Sequence, residues 1–329
     1  MHPTVVAITG ASSGIGRATA ILFARRGWRV GLIGRSAETL DAARHDVVTE
    51  GGTAAIAVAD VADSAQLEAA AAEIEATLGP IEVWINNAAV GVYGKFIDIP
   101  ERDFRRLTET NYYGTVNGTR VALRRMLPRN HGTIVQVLSA VSYRGIPLMS
   151  PYSGSKYALR GFTEAVRAEL TNDGSRVHLT MVHPPAVNTP FYQHATLHLD
   201  RPVRPPPPVY QPELIADAIY LAATSRRREV KVTEQTIALA LGNKLAPGLM
   251  DYLAGKIGVA PQLAGRDHPV AERDPNLDRP GRNNAIHGPF DAESLSSSPQ
   301  MWANRNRDAI GFGLGLIALA WLAGRARSA

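Results

Sequence analysis

Thr4-Val-Val-Ala-Ile-Thr-Gly-Ala-Ser-Ser-Gly-Ile-Gly16 is the stretch on which the reading of this chain turns. Thr4 to Ile8 is a short apolar, β-branched run, as expected of a strand buried in a parallel sheet. An alanine-rich helical pattern follows from Arg17 to Arg26. Strand, glycine-rich turn and helix, in that order, are what a dinucleotide site needs. Gly10 permits the tight turn, Gly14 lets the backbone approach a pyrophosphate, and Gly16 lets helix and strand pack closely. The helix N-terminus then offers free N–H groups and the positive end of a dipole to phosphate. A glycine turn with no ligand is the competing reading, and the flanking strand and helix favour the nucleotide.

The same alternation runs on. A second strand, Trp28 to Ile33, ends at Gly34-Arg35-Ser36. An NAD site usually carries an acidic residue there to hold the ribose hydroxyls. This chain has Gly34 and then Arg35, whose guanidinium suits a 2′-phosphate through forked, charge-assisted hydrogen bonds. NADP is therefore the expected cofactor, with NAD the alternative. Ser36 adds a hydroxyl or caps the next helix. A third strand, Ala54 to Ala59, is ended by Asp60-Val61, and Asp60 either accepts from adenine's amino group or caps the helix beginning near Ser64. That helix stops at Gly79-Pro80. A fourth strand, Ile81 to Ile85, leads to Asn86-Asn87-Ala88-Ala89, small and amide residues that leave room for a cofactor and can tie neighbouring strands. Further on come a helix from about Glu101 to Leu127, a strand Thr133 to Leu138 running into Ser139, and a strand Arg176 to Val182 leading to His183-Pro-Pro-Ala-Val-Asn-Thr189. The fold class is α/β, a doubly wound parallel sheet of about seven strands, Rossmann-like, with a C-terminal helical extension and a hydrophobic tail.

Ser150-Pro-Tyr-Ser-Gly-Ser-Lys156 opens a helix with Ser150 as N-cap and Pro151 in the first turn. Tyr152 and Lys156 then share one face, a single turn apart. An ammonium beside a phenol favours phenolate, giving a proton donor and acceptor usable near neutral pH. Tyr-x-x-x-Lys alone is weak evidence, since on a surface helix such a pair is usually just solvated.

With these pieces in order, the chain resembles the short-chain dehydrogenase/reductase family. The resemblance rests on Thr9-Gly10-x-x-x-Gly14-x-Gly16, Asp60, Asn86-Asn87-Ala88-Ala89, Asn111, Ser139, Tyr152, Lys156 and Pro184-x-x-x-x-Thr189, spanning roughly residues 4 to 190. Ala89 and Pro185 depart from it, since the family usually has Gly at each. The resemblance implies catalysis by Asn111, Ser139, Tyr152 and Lys156. Tyr152 would be the acid/base, Ser139 would hold the substrate oxygen, and Asn111 would hold a water linking Lys156 to solvent. It implies cofactor contacts from Gly10, Ser12, Ser13, Gly14, Ile15, Gly16, Arg35, Asp60, Val61, Asn87, Ala88, Tyr152, Lys156 and Pro184. Val187 and Thr189 would meet the nicotinamide carboxamide. It also implies a homodimer or homotetramer formed through helices near Asn111 and Lys156. His183 reads as structural, and Ser142 is a neighbour whose spacing to Tyr152 does not fit.

Composition narrows the alternatives. With 45% hydrophobic and 20% charged residues, the 329-residue chain can bury a sizeable core. Cysteine is absent and the nine histidines show no metal-ligand spacing, so no disulfide, thiolate or metal site is expected. The net charge of +5 is scattered among acids, which argues against nucleic acid. Its one dense cluster, Arg226-Arg227-Arg228, reads as a basic patch for phosphorylated cofactors or anionic lipid heads. No basic segment precedes the first strand, so no signal peptide is expected.

The catalytic domain is expected to span residues 1–258, with a substrate lid at about 190–211 whose aromatics and Pro205-Pro-Pro-Pro208 suggest a lipophilic substrate. A helix from about Pro212 to Thr224, a strand at Glu229 to Val232, and a helix Ile237 to Ile257 broken near Pro247-Gly248 complete it. Residues 259–306 read as a mostly disordered linker, rich in Pro, Gly, Asp, Arg, Asn and Ser. Residues 309–324 are uncharged and flanked by arginines. As a helix of about 24 Å this run is short for a hydrocarbon core of about 30 Å. A membrane anchor helped by snorkelling arginines is the favoured reading, and a helix docked on protein the other. The expectation is an NADP(H)-dependent oxidoreductase with a cytoplasmic catalytic domain, anchored to a membrane where the C-terminal tail serves as the anchor, interconverting a secondary alcohol and a ketone or aldehyde. The alternatives are an NAD-dependent alcohol dehydrogenase of the same family and a non-catalytic nucleotide-binding scaffold.

Overall fold

A computed structural model describes residues 4–266, 268–307 and 309–310. Its first half alternates strand and helix: β1 (Val5–Thr9), α1 (Gly14–Arg25), β2 (Arg29–Gly34), α2 (Ala37–Thr49), β3 (Thr53–Val58), α3 (Ser64–Leu78) and β4 (Ile81–Asn86). Then follow β5 (Val92–Gly94), α4 (Glu101–Thr108), α5 (Gly114–Met126), β6 (Thr133–Val137), α6 (Ser150–Asn172) and β7 (His178–His183). The remainder comprises α7 (Phe191–His194), β8 (Thr196–His198), β9 (Val209–Tyr210), α8 (Pro212–Thr224), β10 (Glu229–Lys231), α9 (Glu234–Leu245), α10 (Pro247–Ile257), β11 (Ser294–Leu295) and α11 (Pro299–Arg305).

Seven strands form one sheet in the order β3-β2-β1-β4-β6-β7-β10, and every pairing is parallel. Successive side chains of a strand face opposite ways, so each strand feeds two cores. Val6 and Ile8 of β1 join the layer built with α1, α2 and α8. Val5 and Ala7 join the layer built with α3 and α5. That double burial is why the strands read as unbroken apolar runs. Chain order reverses between β1 and β4, which makes a crevice at their carboxyl ends.

Several expectations need correction. The helix from Glu101 to Leu127 is not regular: Glu109–Tyr113 is a π-helical turn between α4 and α5, with Asn111 at its centre. Ser150 is the first residue of α6 and not its cap; Met149 stands at the cap position and makes no side-chain capping bond. The three arginines at 226–228 are not a free basic patch. Arg226 donates to the Arg176 carbonyl, Arg227 to the Asn304 carbonyl, and Arg228 pairs with Glu164 and Glu229.

The largest correction concerns the segment 259–306, whose described residues, 259–266 and 268–306, pack against the body of the protein. Val270, Leu277, Phe290 and Met301 are buried. β11 pairs in parallel with β9, and α11 packs on α8 and β10. Phe290 and Val270 share a core with Tyr192 and Val203 of the lid. Asn188 accepts from the Phe290 N–H and donates to Asp291. The segment has no hydrophobic period because each apolar residue fills its own hole, while its backbone carbonyls are met by side chains of the main domain. The apolar run 309–324 lies, after its first two residues, outside the described residues. Among the described residues no helix is long and apolar enough to cross a membrane.

Candidate active site

Thr9, at the end of β1, ties the crevice together. Its hydroxyl accepts from the N–H groups of Asn87 (3.0 Å) and Ala88 (3.1 Å) and donates to the Ile85 carbonyl (3.3 Å). The Asn87 amide donates back to the carbonyls of Thr9 (3.0 Å) and Gly10 (3.2 Å). The turn from β1 to α1 is thus fastened to the turn after β4. Gly10 sits at φ +66°, and a Cβ there would stand 2.8 Å from the Ala88 Cα, so only glycine fits. Ser13 precedes α1 but makes no side-chain capping bond, unlike Ser36, Asp63, Thr233 and Ser298 at other helices. The first N–H groups of a helix have no partner within it. An uncapped N-terminus on the crevice floor suits a diphosphate.

Above this floor lies one cavity of about 420 Å³. Every cofactor and catalytic residue expected from the sequence lines it, except Gly16, packed beneath the turn, and Asn111. Its lining carries buried polar atoms without partners, among them the Thr110 hydroxyl and the Asn276 amide oxygen. The residues therefore fit a dinucleotide: a helix end without a side-chain cap in the middle, where the Gly14 N–H is held by the Ala285 carbonyl (3.0 Å), polar groups at one end and a Ser–Tyr–Lys cluster at the other.

At the outer end, Asp60 accepts from the Ala62 N–H (3.0 Å) and forms an ion pair with Arg106. Asp63, not Asp60, caps α3 by accepting from Ala65 and Gln66. Arg35 points at the carbonyls of Asn276 (2.5 Å), Leu277 (3.3 Å) and Arg279 (3.4 Å). Ser36 caps α2 by accepting from Thr39.

At the inner end, Tyr152 and Lys156 share a face of α6, as their spacing requires. Burial pushes the Tyr152 phenol up to about 12, against the lowering pull of a hydrogen bond with Ser139. Burial also lowers Lys156 to about 8. The ammonium donates to the Val137 carbonyl (2.9 Å) and stands 5.6 Å from the Tyr152 ring centre. The expected lowering of the phenol by the amine is thus not what this structure shows. Desolvation outweighs the hydrogen bond with Ser139, and the phenol stays protonated at neutral pH. Asn111 is fully buried, its amide oxygen accepting from the Val90 N–H (2.8 Å) and its amide nitrogen donating to the Val90 carbonyl (3.0 Å). Both ends of that side chain are spent on the backbone, so it does not face Lys156 directly.

His183 belongs to a separate buried network. It meets Ser142 (2.9 Å) and Tyr143 (3.2 Å), and Tyr143 donates to Glu229 (2.7 Å). Burial lowers the His183 pKa despite the nearby carboxylate. Among the described residues no group of three or more His, Asp or Glu is placed to hold a metal ion.

The sequence did not single out Tyr93, Ile146, Met149 or Asn276 as cavity residues. Tyr93 is brought in by the short pairing of β5 with β8, which no periodicity announces. Tyr152 packs edge-on against Phe191 of the lid, with ring centres 5.6 Å apart.

Lys156→Met should raise stability at pH 7 by roughly 1–3 kcal/mol, because a solitary buried ammonium is traded for an apolar side chain of similar reach. The folded-state value of about 8 lies below the ordinary 10.5, so the folded form holds fewer protons between those values. The lysine protein therefore gains stability as pH rises from about 8 to 10.5. The advantage of the variant should shrink across that window. Thermal melts from pH 7 to 10.5 check it, and a variant less stable at pH 7 would contradict it.

A nucleotide crevice at the reversal point of a parallel sheet, ending in a Ser–Tyr–Lys cluster, defines an NAD(P)-binding oxidoreductase fold. The chain belongs to the short-chain dehydrogenase family, whose model, described as short chain dehydrogenase, matches residues 4–199. An uncharacterized oxidoreductase, YxnA of Bacillus subtilis (strain 168), is 36% identical over 264 residues, covering 80% of this chain and 74% of the relative. A short chain dehydrogenase/reductase from Burkholderia phymatum, solved in complex with NAD, superposes with a TM-score of 0.69 at 24% identity, covering 75% of this chain and 95% of the other. An alcohol dehydrogenase from the archaeon Thermococcus sibiricus, complexed with 5-hydroxy-NADP, gives 0.60 at 25% identity, covering 69% and 95%.

Proposed function

We propose that this protein is an NADP(H)-dependent oxidoreductase that interconverts a secondary alcohol and a ketone or aldehyde of lipophilic character. The observation that carries the reading is the placing of Ser139, Tyr152 and Lys156 in the same cavity as the glycine turn. When bound, a nicotinamide dinucleotide supplies the two-electron carrier for that interconversion. The chain's own groups manage the oxygen. Tyr152, protonated at neutral pH, donates to a carbonyl oxygen in reduction, and Ser139 holds the same oxygen beside the phenol. Lys156, charged below about 8, favours the phenolate left behind once the phenol has given up its proton. Ile146, Met149, Phe191 and Tyr192 line the cavity near the cluster, which favours an apolar substrate body. The Phe191–Tyr192–Phe290 chain of ring contacts gives the lid an apolar face beside Tyr152, suited to keeping water from a reacting oxygen.

The choice of NADP rests on Arg35 at the end of β2, where no acidic residue stands. A second reading, NAD, is favoured by the engagement of that guanidinium with three backbone carbonyls. Arg35→Ala separates the two. If Arg35 holds a 2′-phosphate, NADPH affinity should fall about 10–100-fold, the worth of a charge-assisted hydrogen bond, while NADH affinity stays within about twofold. Fluorescence titration of both nucleotides measures it. Equal losses for the two would favour NAD and leave Arg35 a structural role.

A further inference from the structure

We propose that residues 274–288 form a strap that walls in the dinucleotide along its length, so that nucleotide enters and leaves only when the strap lifts. This rests on the nucleotide-binding reading above and concerns residues beyond the matched 4–199.

The strap follows the crevice from end to end. At the outer end Asn276 and Leu277 present their carbonyls to Arg35, and Leu277 also accepts from Arg106 (3.3 Å). In the middle, Ala285 accepts from the Gly14 N–H (3.0 Å), in the first turn of α1, and Asn284 accepts from Arg17 (2.7 Å). At the inner end Gly288 lies so close to the loop after β7 that a Cβ would stand 2.6 Å from the Thr189 carbonyl oxygen. The groups on which a dinucleotide would lie are therefore the groups the strap crosses.

Two observations make it a wall and not a plug. First, a cavity of about 420 Å³ remains between the glycine turn and Asn276 of the strap, so the strap leaves room for a nucleotide. Second, the Asn276 amide oxygen is buried and unpartnered, as is the Thr110 hydroxyl in the same cavity. A buried polar atom without a partner is costly, and a ribose hydroxyl or adenine amine would satisfy both sites. Asn276 is thus assigned as a contact for the adenosine end. The strap is also continuous with the lid core through Phe290, so covering the nucleotide and covering the substrate are mechanically joined.

The test uses the exposed ion pair between Arg102 and Asp278, which bridges α4 and the strap outside the cavity. Because the chain has no cysteine, Arg102→Cys/Asp278→Cys provides a unique thiol pair. A short bis-methanethiosulfonate joins the two thiols and a reducing agent separates them again. Full-length protein loaded with NADPH is linked, and release is followed by fluorescence on mixing with excess NADP. Release should slow by about tenfold or more on linking and recover on reduction. Linking before loading should slow uptake to a similar degree. Asn276→Ala should weaken NADPH binding without changing the effect of the link. Identical release and uptake rates in linked and reduced protein would overturn the strap while leaving the oxidoreductase reading intact. Failure of the unlinked protein to bind either NADPH or NADH would overturn both.

Discussion

Tyr152→Phe should lower turnover by about 10²–10⁴-fold, the usual worth of a positioned acid or base, and leave NADPH affinity unchanged within about twofold. The substitution removes one oxygen and little else. The ring keeps its edge-on contact with Phe191 and its place under the lid, so packing is preserved. What disappears is the phenolic proton, which burial holds in place up to about pH 12. Ser139 cannot take its part, because an aliphatic hydroxyl is a far weaker acid than a phenol. Steady-state turnover with a panel of ketones and secondary alcohols, beside a nucleotide titration, gives both quantities. A variant that keeps wild-type turnover would rule out Tyr152 as the acid and, with it, the mechanism. Lost turnover with intact nucleotide binding would equally dispose of the scaffold alternative for the native protein.

The second large effect is expected at Gly16. A Cβ there would lie 2.1 Å from the Gly10 carbonyl oxygen and 2.6 Å from the Asn87 amide nitrogen. The first neighbour is backbone and the second is clamped to two carbonyls, so neither can yield cheaply. Gly16→Ala therefore has to push α1 off the ends of β1 and β4. The cost should be about 1–3 kcal/mol, the range for overpacking a tight site, together with loss of nucleotide binding. Gly161, within α6, is the matched control, since nothing lies within 4 Å of its added Cβ. There the same change should be neutral or stabilise by up to about 1 kcal/mol, through helix propensity alone. Chemical denaturation of both variants decides the matter. Equal effects at the two positions would mean that helix propensity, and not the close approach at the turn, governs Gly16.

How much of this was legible in the sequence depends on how local each signal is. The turn at Gly10–Gly16, the Tyr152/Lys156 face and the alternation of strand with helix are encoded in residues a few positions apart, and they read correctly. Arg226-Arg227-Arg228 misled because its partners, Arg176, Asn304 and Glu164, lie far away in the chain. Asn111 was placed in its helix, but sequence could not say that both ends of its amide would bond to Val90. The segment after Ile257 was the hardest. Its isolated Val270, Leu277 and Phe290 carry no period, and its polar backbone resembles a solvated chain until Arg17, Arg35 and Arg106 are seen to meet it. The priming of Tyr152 was inferred from proximity alone, whereas burial sets the sign in the site as it stands.

The bond between Arg17 and Asn284 joins residues 267 positions apart. A chain made from its N-terminus outward completes every strand of the central sheet before Asn284 has been added, and domains generally fold as they emerge. The youngest form of the protein on the ribosome is therefore a finished sheet with its crevice bare. If the strap proposal holds, a nucleotide that enters at that stage is covered only afterwards, by residues 274–288.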